Sequence, residues 1–416
     1  MAGSRSLDNI AREILRGNDK GGYTIPTSGL YPYQWNWDSA FAALGFARFD
    51  IDRAWTEIET LFSGQWDNGM VPHILFHRAD PGYFPGPEVW GGTGPVPSSG
   101  ISQPPIAATM VKRVFDKNPE IGMQRIGPLF DKIAAWHRWF MDWRLDNGAV
   151  CITHPWEAGR DNAPDWDGAM ARINPQKVGE YTRRDTTHVD SAMRPTKYDY
   201  DRYVWLVQLG KRLKWNEAEL LKHNPFRVAD PTMTFTLLRA QRDLATLGRA
   251  IGRDVNDIEQ SIDILRDGAK TLWNEQLGSY DSRDVRSGEW SGSISNASFL
   301  CWYAGLKSTE MKTVLNDVLK TVRYGIPSYD PRGEKFDAKR YWRGPVWGIM
   351  NMLIGTGMQE MGMPEGAALR QSTCDLITEH GFAEYFDPHD GSPAGGDSFT
   401  WTAAVWLSWA SPNADN

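Results

Sequence analysis

A chain of 416 residues is long for one ordinary hydrophobic core, which stops growing near roughly 250–300 residues, so it holds several domains or one ring around a central cavity. Hydrophobic residues at 41% and charged residues at 23% are those of a folded globular protein and argue against disorder. A net charge of −7 argues against nucleic acid, which wants a basic surface, and gives a membrane no polybasic handle.

The first ten residues, Met1 to Ile10, contain no apolar run of the kind a secretory signal needs. No stretch of about 18 apolar residues reads as a membrane span. Cys151, Cys301 and Cys374 are far apart and lack CxxC spacing, so neither a disulfide framework nor a zinc ribbon is expected. A cytoplasmic location is the expectation. Twenty tryptophans and 14 tyrosines stand out. Many sit beside Gly, Pro, Asp or Asn, a usual lining for a site that grips a sugar, while others belong to a core.

Helical periodicity dominates in chain order. A leading helix is predicted over 6–16, with Ser6 as its N-cap. Twelve more follow near 38–48, 52–63, 104–117, 126–143, 199–214, 231–251, 256–275, 294–305, 308–320, 345–359, 364–379 and 399–410. Strand-like alternation is scarce. Loop insertions near 64–103, 144–197 and 321–344 exceed the usual connector of up to about 12–15 residues, and such loops are usually functional. No tether or charge block divides the chain. The expectation is a single domain over 1–416, with helical hairpins closed in a ring and long loops building a pocket at one end.

Two loops carry acids among aromatics. The first runs from His154 to Asp167 and holds Glu157, Asp161, Asp165 and Asp167 beside Trp156 and Trp166. A calcium loop fails there, because the acid spacing is wrong and the twelfth position is Arg172. The second holds Glu384-Tyr385-Phe386-Asp387-Pro388. Acetal hydrolysis needs one protonated carboxyl for the leaving oxygen and a second carboxylate for water or carbon. A carboxyl packed against tryptophan has a raised pKa, as a general acid requires. His73 and His77 are four apart, but Ile74 stands where a zincin has Glu, so packing or hydrogen bonding is the expected role. Gly91-Gly92-Thr93-Gly94 lacks the Lys-Ser/Thr of a phosphate loop and reads as a flexible lid.

An ordered set of motifs completes the reading: Tyr31-Pro-Tyr-Gln-Trp-Asn-Trp-Asp38, Gln65-Trp-Asp-Asn-Gly-Met-Val-Pro-His73, Gly82-Tyr-Phe-Pro-Gly-Pro87 and Gly100-Ile-Ser-Gln-Pro-Pro105. Trp156-Glu-Ala-Gly-Arg-Asp-Asn162, Arg194-Pro-Thr-Lys-Tyr-Asp-Tyr-Asp-Arg-Tyr203, Tyr341-Trp-Arg-Gly-Pro-Val-Trp347 and Glu384-Tyr-Phe-Asp-Pro388 follow. Over nearly its whole length the chain resembles glycoside hydrolase family 63, specifically its short bacterial members that hydrolyse mannosylglycerate or glucosylglycerate. The resemblance implies an all-α (α/α)6 barrel and an inverting mechanism, with no cofactor and no metal. It implies Asp161 as general acid and Glu384 as general base, with Glu157 in a supporting role. It also implies that Tyr31, Trp35, Trp37, Asp38, Gln103, Tyr341, Trp342 and Trp347 line the sugar subsite, with Trp156 and Gly159 beside the acid. Tyr83 would come from a mobile loop. Arg194 and Tyr200 match the positions that hold the glycerate carboxylate, for which a planar guanidinium is suited. Without the family, a salt bridge from Arg194 to Asp190 or Asp199 is an equal reading.

The expected partner is a small sugar substrate, with a homo-oligomer left open. The expected reaction splits a glycosylglycerate into hexose and glycerate. The alternatives are an exo-α-glucosidase on a neutral disaccharide or glucosylglycerol, a non-catalytic sugar-binding toroid, and a terpene-cyclase-like protein. The last wants an apolar cavity, whereas these aromatic loops are studded with Gln, Asn, Arg and Asp.

Overall fold

The structure, a computed structural model, describes residues 2–415, apart from the side chains of residues 2–6, 187 and 188. The leading helix is longer than predicted, Ala2–Asn18. The Ser6 side chain, the proposed cap, lies outside the described residues.

Helices buried on every side form the core. Asn36–Phe46 buries all eleven residues, Thr400–Val405 buries all six, and Gly348–Glu360 buries most of its length. A helix apolar all round has no solvent face to keep polar, so it is surrounded by other elements. Close approach requires small residues: a Cβ on Gly45 would lie 2.9 Å from the Ala404 backbone. Asn36–Phe46 packs on Ala107–Lys117, which packs on Pro231–Ala250, which meets the turns Asn296–Cys301. Those turns contact Gly348–Glu360, which contacts Thr400–Val405, which returns to Asn36–Phe46.

Each of these elements carries an outer companion with one apolar stripe. Ile51–Ser63 lies on Asn36–Phe46 and buries Ala54, Trp55, Ile58, Leu61 and Phe62, a helical spacing. Pro119–Trp143 lies on Ala107–Lys117, Asn256–Lys270 on Pro231–Ala250, and Thr309–Leu319 on the Asn296–Cys301 turns. Pro364–His380 lies on Gly348–Glu360, and Ala2–Asn18 on Thr400–Val405.

Three departures from expectation have local causes. Pro119–Trp143 starts seven residues before the expected 126, because Asn118 accepts from the Ile121 N–H and Pro119 fills the first turn. The predicted helix over 294–305 is 3-10 over Asn296–Cys301, tied at its start by a reciprocal Ser295–Ser298 box. The loop insertion expected near 64–103 contains the single helical turn Pro87–Trp90. Among the described residues ten short strands of two to four residues also form, four of them in one sheet: Leu145–Asp146, Ala149–Ile152, Val228–Ala229 and Arg283–Asp284. That sheet holds the two ends of the acid loop's neighbourhood together, since Ala149–Ile152 pairs with Val228–Ala229 directly before Pro231–Ala250.

Candidate active site

The long loops meet over one deep cavity. Tyr31, Trp35, Trp37, Asp38, Tyr83, Gln103, Trp156, Gly159, Asp161, Arg194, Tyr200, Tyr341 and Glu384 all line it. They come from seven separate motifs, so the fold gathers side chains that are up to 353 residues apart in sequence.

Asp161 follows the 3-10 turn Pro155–Ala158 and Gly159. Gly159 takes φ +67°, and a Cβ there would lie 2.7 Å from the Trp37 ring. Glycine therefore lets the acid loop press against the indole. Tyr203 donates its hydroxyl to the Asp161 carbonyl at 2.9 Å. Burial pushes the Asp161 carboxyl up to about 7, a shift opposed by Arg194 and helped by Glu384. Asp161 is thus a carboxyl that can hold a proton near neutrality.

Glu384 is fully buried and held by donors. Tyr31 and Tyr341 donate hydroxyls to Oε1 at 3.0 and 3.2 Å, and the Gly396 N–H donates to Oε2 at 2.9 Å. Gly395, at φ +75°, has no room for a Cβ, which would meet Glu384 Oε2 at 2.3 Å. Burial raises the Glu384 pKa, while Arg194, Gly396, Tyr31 and Tyr341 oppose the rise. The two carboxyls therefore differ in kind: hydrogen-bond donors that favour the ionised form converge on Glu384. Asp38, third residue of the Asn36–Phe46 helix, is a further cavity carboxyl. Burial pushes its pKa well above the carboxylate range, with Glu384 and Asp161 adding repulsion.

Arg194 is 2% exposed in its side chain and lies over the Tyr341 ring at 4.3 Å. Its ionic partners are Glu384 at 3.8 Å and Asp185 at 3.7 Å, in place of the expected Asp190 or Asp199. Trp342 and Trp347 are not lining residues: fully buried, they stack face to face at 3.8 Å behind Tyr341 and Trp37. Trp90, within the long loop of 64–103, is likewise buried, against Trp156, Trp215 and His73. Glu157, expected in a supporting role, belongs to another network. Its Oε2 accepts from the Thr153 N–H and hydroxyl at 2.6 and 2.9 Å, and its Oε1 faces Arg144 at 3.4 Å.

Sequence reasoning passed over several lining residues. His73 lines the cavity with Nδ1 2.8 Å from the Ser99 hydroxyl, while His77 is hydrogen-bonded to Gln34. The motif ending at His73 was the available signal for it. Phe399, Trp401, Asp185 and Tyr203 also line the cavity. Asp185 stands in the segment 183–193, where no pattern marks it.

An aromatic cavity that sets a protonatable carboxyl and a donor-bound carboxyl around one space is the site of a glycoside hydrolase. Residues 31–402 match the family described as the mannosylglycerate hydrolase MGH1-like glycoside hydrolase domain. The chain is 43% identical to a mannosylglycerate hydrolase of Selaginella moellendorffii, over 96% of this chain and 84% of that one. It is 33% identical to a glucosylglycerate hydrolase of Mycolicibacterium hassiacum, over 96% of each. It superposes with TM-score 0.93 and 40% identity on the crystal structure of the family 63 mannosylglycerate hydrolase of Thermus thermophilus in complex with Tris and D-glycerate, covering 96% and 99% of the two chains. The chain belongs to the MGH1-like mannosylglycerate hydrolase family of glycoside hydrolases.

Proposed function

We propose that this protein is an inverting hydrolase of a small α-glycosylglycerate, mannosylglycerate or glucosylglycerate, releasing hexose and glycerate. Asp161 gives its proton to the glycosidic oxygen as the bond to C1 breaks. Glu384 takes a proton from the water whose oxygen bonds to C1 from the opposite face. The reaction leaves Asp161 ionised and Glu384 protonated, and exchange with solvent restores both. Tyr31, Trp35, Trp37, Asp38, Gln103 and Tyr341 face the sugar, and Arg194 with Tyr200 faces the carboxylate of the aglycone. Trp342 and Trp347 support that wall from behind.

The observation that carries this reading is the meeting of Asp161, Glu384 and Arg194 at one cavity in a chain so close to relatives named for glycosylglycerates. The cycle of helix contacts, with a companion outside each member, supports an (α/α)6 barrel formed by one domain. Yeast neutral trehalase, at 14% identity and TM-score 0.58, is similar in fold alone. The test is a panel of mannosylglycerate, glucosylglycerate, glucosylglycerol and α-linked disaccharides, read by released hexose. Turnover of the two glycerates well above that of the neutral glycosides is expected. Faster turnover of a neutral glycoside would overturn the assignment.

A further inference from the structure

While Asp161 lines the cavity, its neighbour Arg160 is completely buried. The Arg160 guanidinium meets four side chains. Nε donates to Thr232 Oγ1 at 2.8 Å and Nη1 to Ser295 Oγ at 3.2 Å. Nη2 donates to Asp165 Oδ1 at 3.0 Å and to Asp230 Oδ1 at 3.1 Å. The Trp166 ring covers it, 5.0 Å from the guanidinium carbon.

These partners stand at the starts of two core elements. Asp230 precedes Pro231–Ala250 and caps it, its Oδ2 accepting from the Met233 N–H at 3.1 Å. Ser295 precedes the Asn296–Cys301 turns, which pack on that helix. Asp165 is gathered in by the Ser282 and Ser295 hydroxyls at 3.1 and 3.2 Å. The peptide above is tied as well. The Arg160 carbonyl accepts from Trp166 Nε1 at 2.8 Å and from the Ala163 N–H at 3.0 Å, and the Asp161 carbonyl accepts from Tyr203. The peptide bearing Asp161 is thus fastened to the starts of two core elements.

A buried ion cluster is a weak source of net stability compared with an apolar replacement. Its place directly behind the acid is accounted for by geometry instead. A general acid works only within hydrogen-bond reach of the oxygen it protonates, and a displacement of about 1 Å costs about a hundredfold. Four partners spread around one plane need the guanidinium fork, which the point charge of lysine cannot replace.

We infer that Arg160, fixed by Asp230, Asp165, Thr232 and Ser295, is a positioning residue for protonation of the leaving group. This rests on Asp161 being the general acid. Asp230→Asn is the sharpest probe. It keeps size and a capping oxygen, and it leaves Arg160 paired one-to-one with Asp165. Two substrates separate positioning from folding. A glycosylglycerate leaves as a poor alkoxide and needs the acid, whereas an α-glycosyl fluoride of the same sugar loses fluoride without one.

Asp230→Asn is expected to lower kcat on the glycosylglycerate by about tenfold or more with KM within about twofold, and to leave the fluoride rate within about twofold. Equal losses on both substrates would make the cluster a structural element only. Unchanged rates on both would also overturn the inference. If circular dichroism shows Asp230→Asn unfolded, Thr232→Val, which removes the Nε partner without a charge, is read in the same way. Asp161→Asn serves as the control: it should lose the glycosylglycerate and keep the fluoride. A control that keeps or loses both would defeat the acid assignment itself, separately from the role of Arg160.

Discussion

Arg194 touches Glu384 twice over: directly, with Nη2 3.8 Å from Oε2, and through Tyr31, to which it donates at 2.8 Å while the Tyr31 hydroxyl donates to Oε1. One guanidinium therefore serves the proposed base and the proposed aglycone site together. Arg194→Ala should lower turnover of glucosylglycerol as well as glycosylglycerates, because Tyr31 loses the donor that orients its own proton toward Glu384. The glycosylglycerates should lose a further 1.5–3 kcal/mol or so in kcat/KM, the worth of a charge-assisted hydrogen bond to the carboxylate. Steady-state kinetics on both substrates check this, and equal losses would leave Arg194 to the base alone.

The rate should follow a bell in pH with its basic limb near neutrality. As the proposed acid, Asp161 must be protonated, so activity is expected to fall as pH rises through about 7. As the proposed base, Glu384 must be ionised, so activity is expected to fall again as pH drops through its pKa, which burial places above the usual carboxylate value. Asp161→Asn and Glu384→Gln should each remove several orders of magnitude, on the order of 10²–10⁴ or more. Proton NMR of the first-formed sugar should show the β anomer. An initial α anomer would replace inversion with retention.

Stability carries the opposite mark of the same shift. A carboxyl whose folded pKa lies above its unfolded one favours the fold only while protonated, so its contribution is whole below pH 4 or so and is lost as pH rises through about 7. Asp161→Asn should therefore be more stable than the parent at pH 8, by roughly 2–4 kcal/mol, and melt at a higher temperature there, while melting at a similar temperature at pH 4. Thermal melts across that range check the sign.

Much of the site was legible because its chemistry is local. The two acid loops around Asp161 and Glu384 stood out by their residue types, the resemblance to the family supplied the other lining residues, and thirteen of the fifteen proposed site residues line the cavity. Helix bounds were legible where caps are strong, as with Asp230-Pro231, predicted at 231–251 and found over Pro231–Ala250. Burial depth was not legible. Trp342 and Trp347 belong to the same motif as Tyr341, yet they stack behind it, and only tertiary packing decides which aromatic faces the cavity. Nor could spacing tell Glu157 from Asp161. That difference lies in Arg144 and Thr153, residues that pair with Glu157 through the fold.

Glu157→Gln tests that separation. Its partners remain, but one charge facing Arg144 is lost, leaving Glu217 as the remaining carboxylate at 2.5 Å. The melting temperature should fall, with a cost of about 1–3 kcal/mol for the buried network, while kcat at a temperature below the melt stays within about threefold. A loss of turnover matching that of Asp161→Asn would return Glu157 to the role of acid.

The last prediction concerns the cavity's rim. Tyr83, Phe84 and Pro85 line the cavity, whereas Trp90, five residues on, is buried with Trp215, whose Nε1 donates to the Trp90 carbonyl at 3.0 Å. The segment 83–100 is therefore two things: a rim up to Pro85 and a packed anchor around Trp90. Arg184, which also lines the cavity, binds the rim, meeting both oxygens of Asp80 at 2.5 and 3.0 Å and the Gly82 carbonyl at 3.2 Å. This bidentate pair is only partly buried, its side chains 16% and 23% exposed, so water can compete for it when the rim opens. Closure of the rim over substrate would exclude bulk water from Asp161 and Glu384 and sharpen their electrostatics. Hydrogen exchange with and without glycerate plus hexose should show protection rising over residues 78–86 and little change over 88–92, already slow in the free protein. Arg184→Gln should speed exchange of 78–86 in the free protein alone. Uniform exchange across 78–100 in both states would make the rim a fixed wall, with Tyr83 part of it.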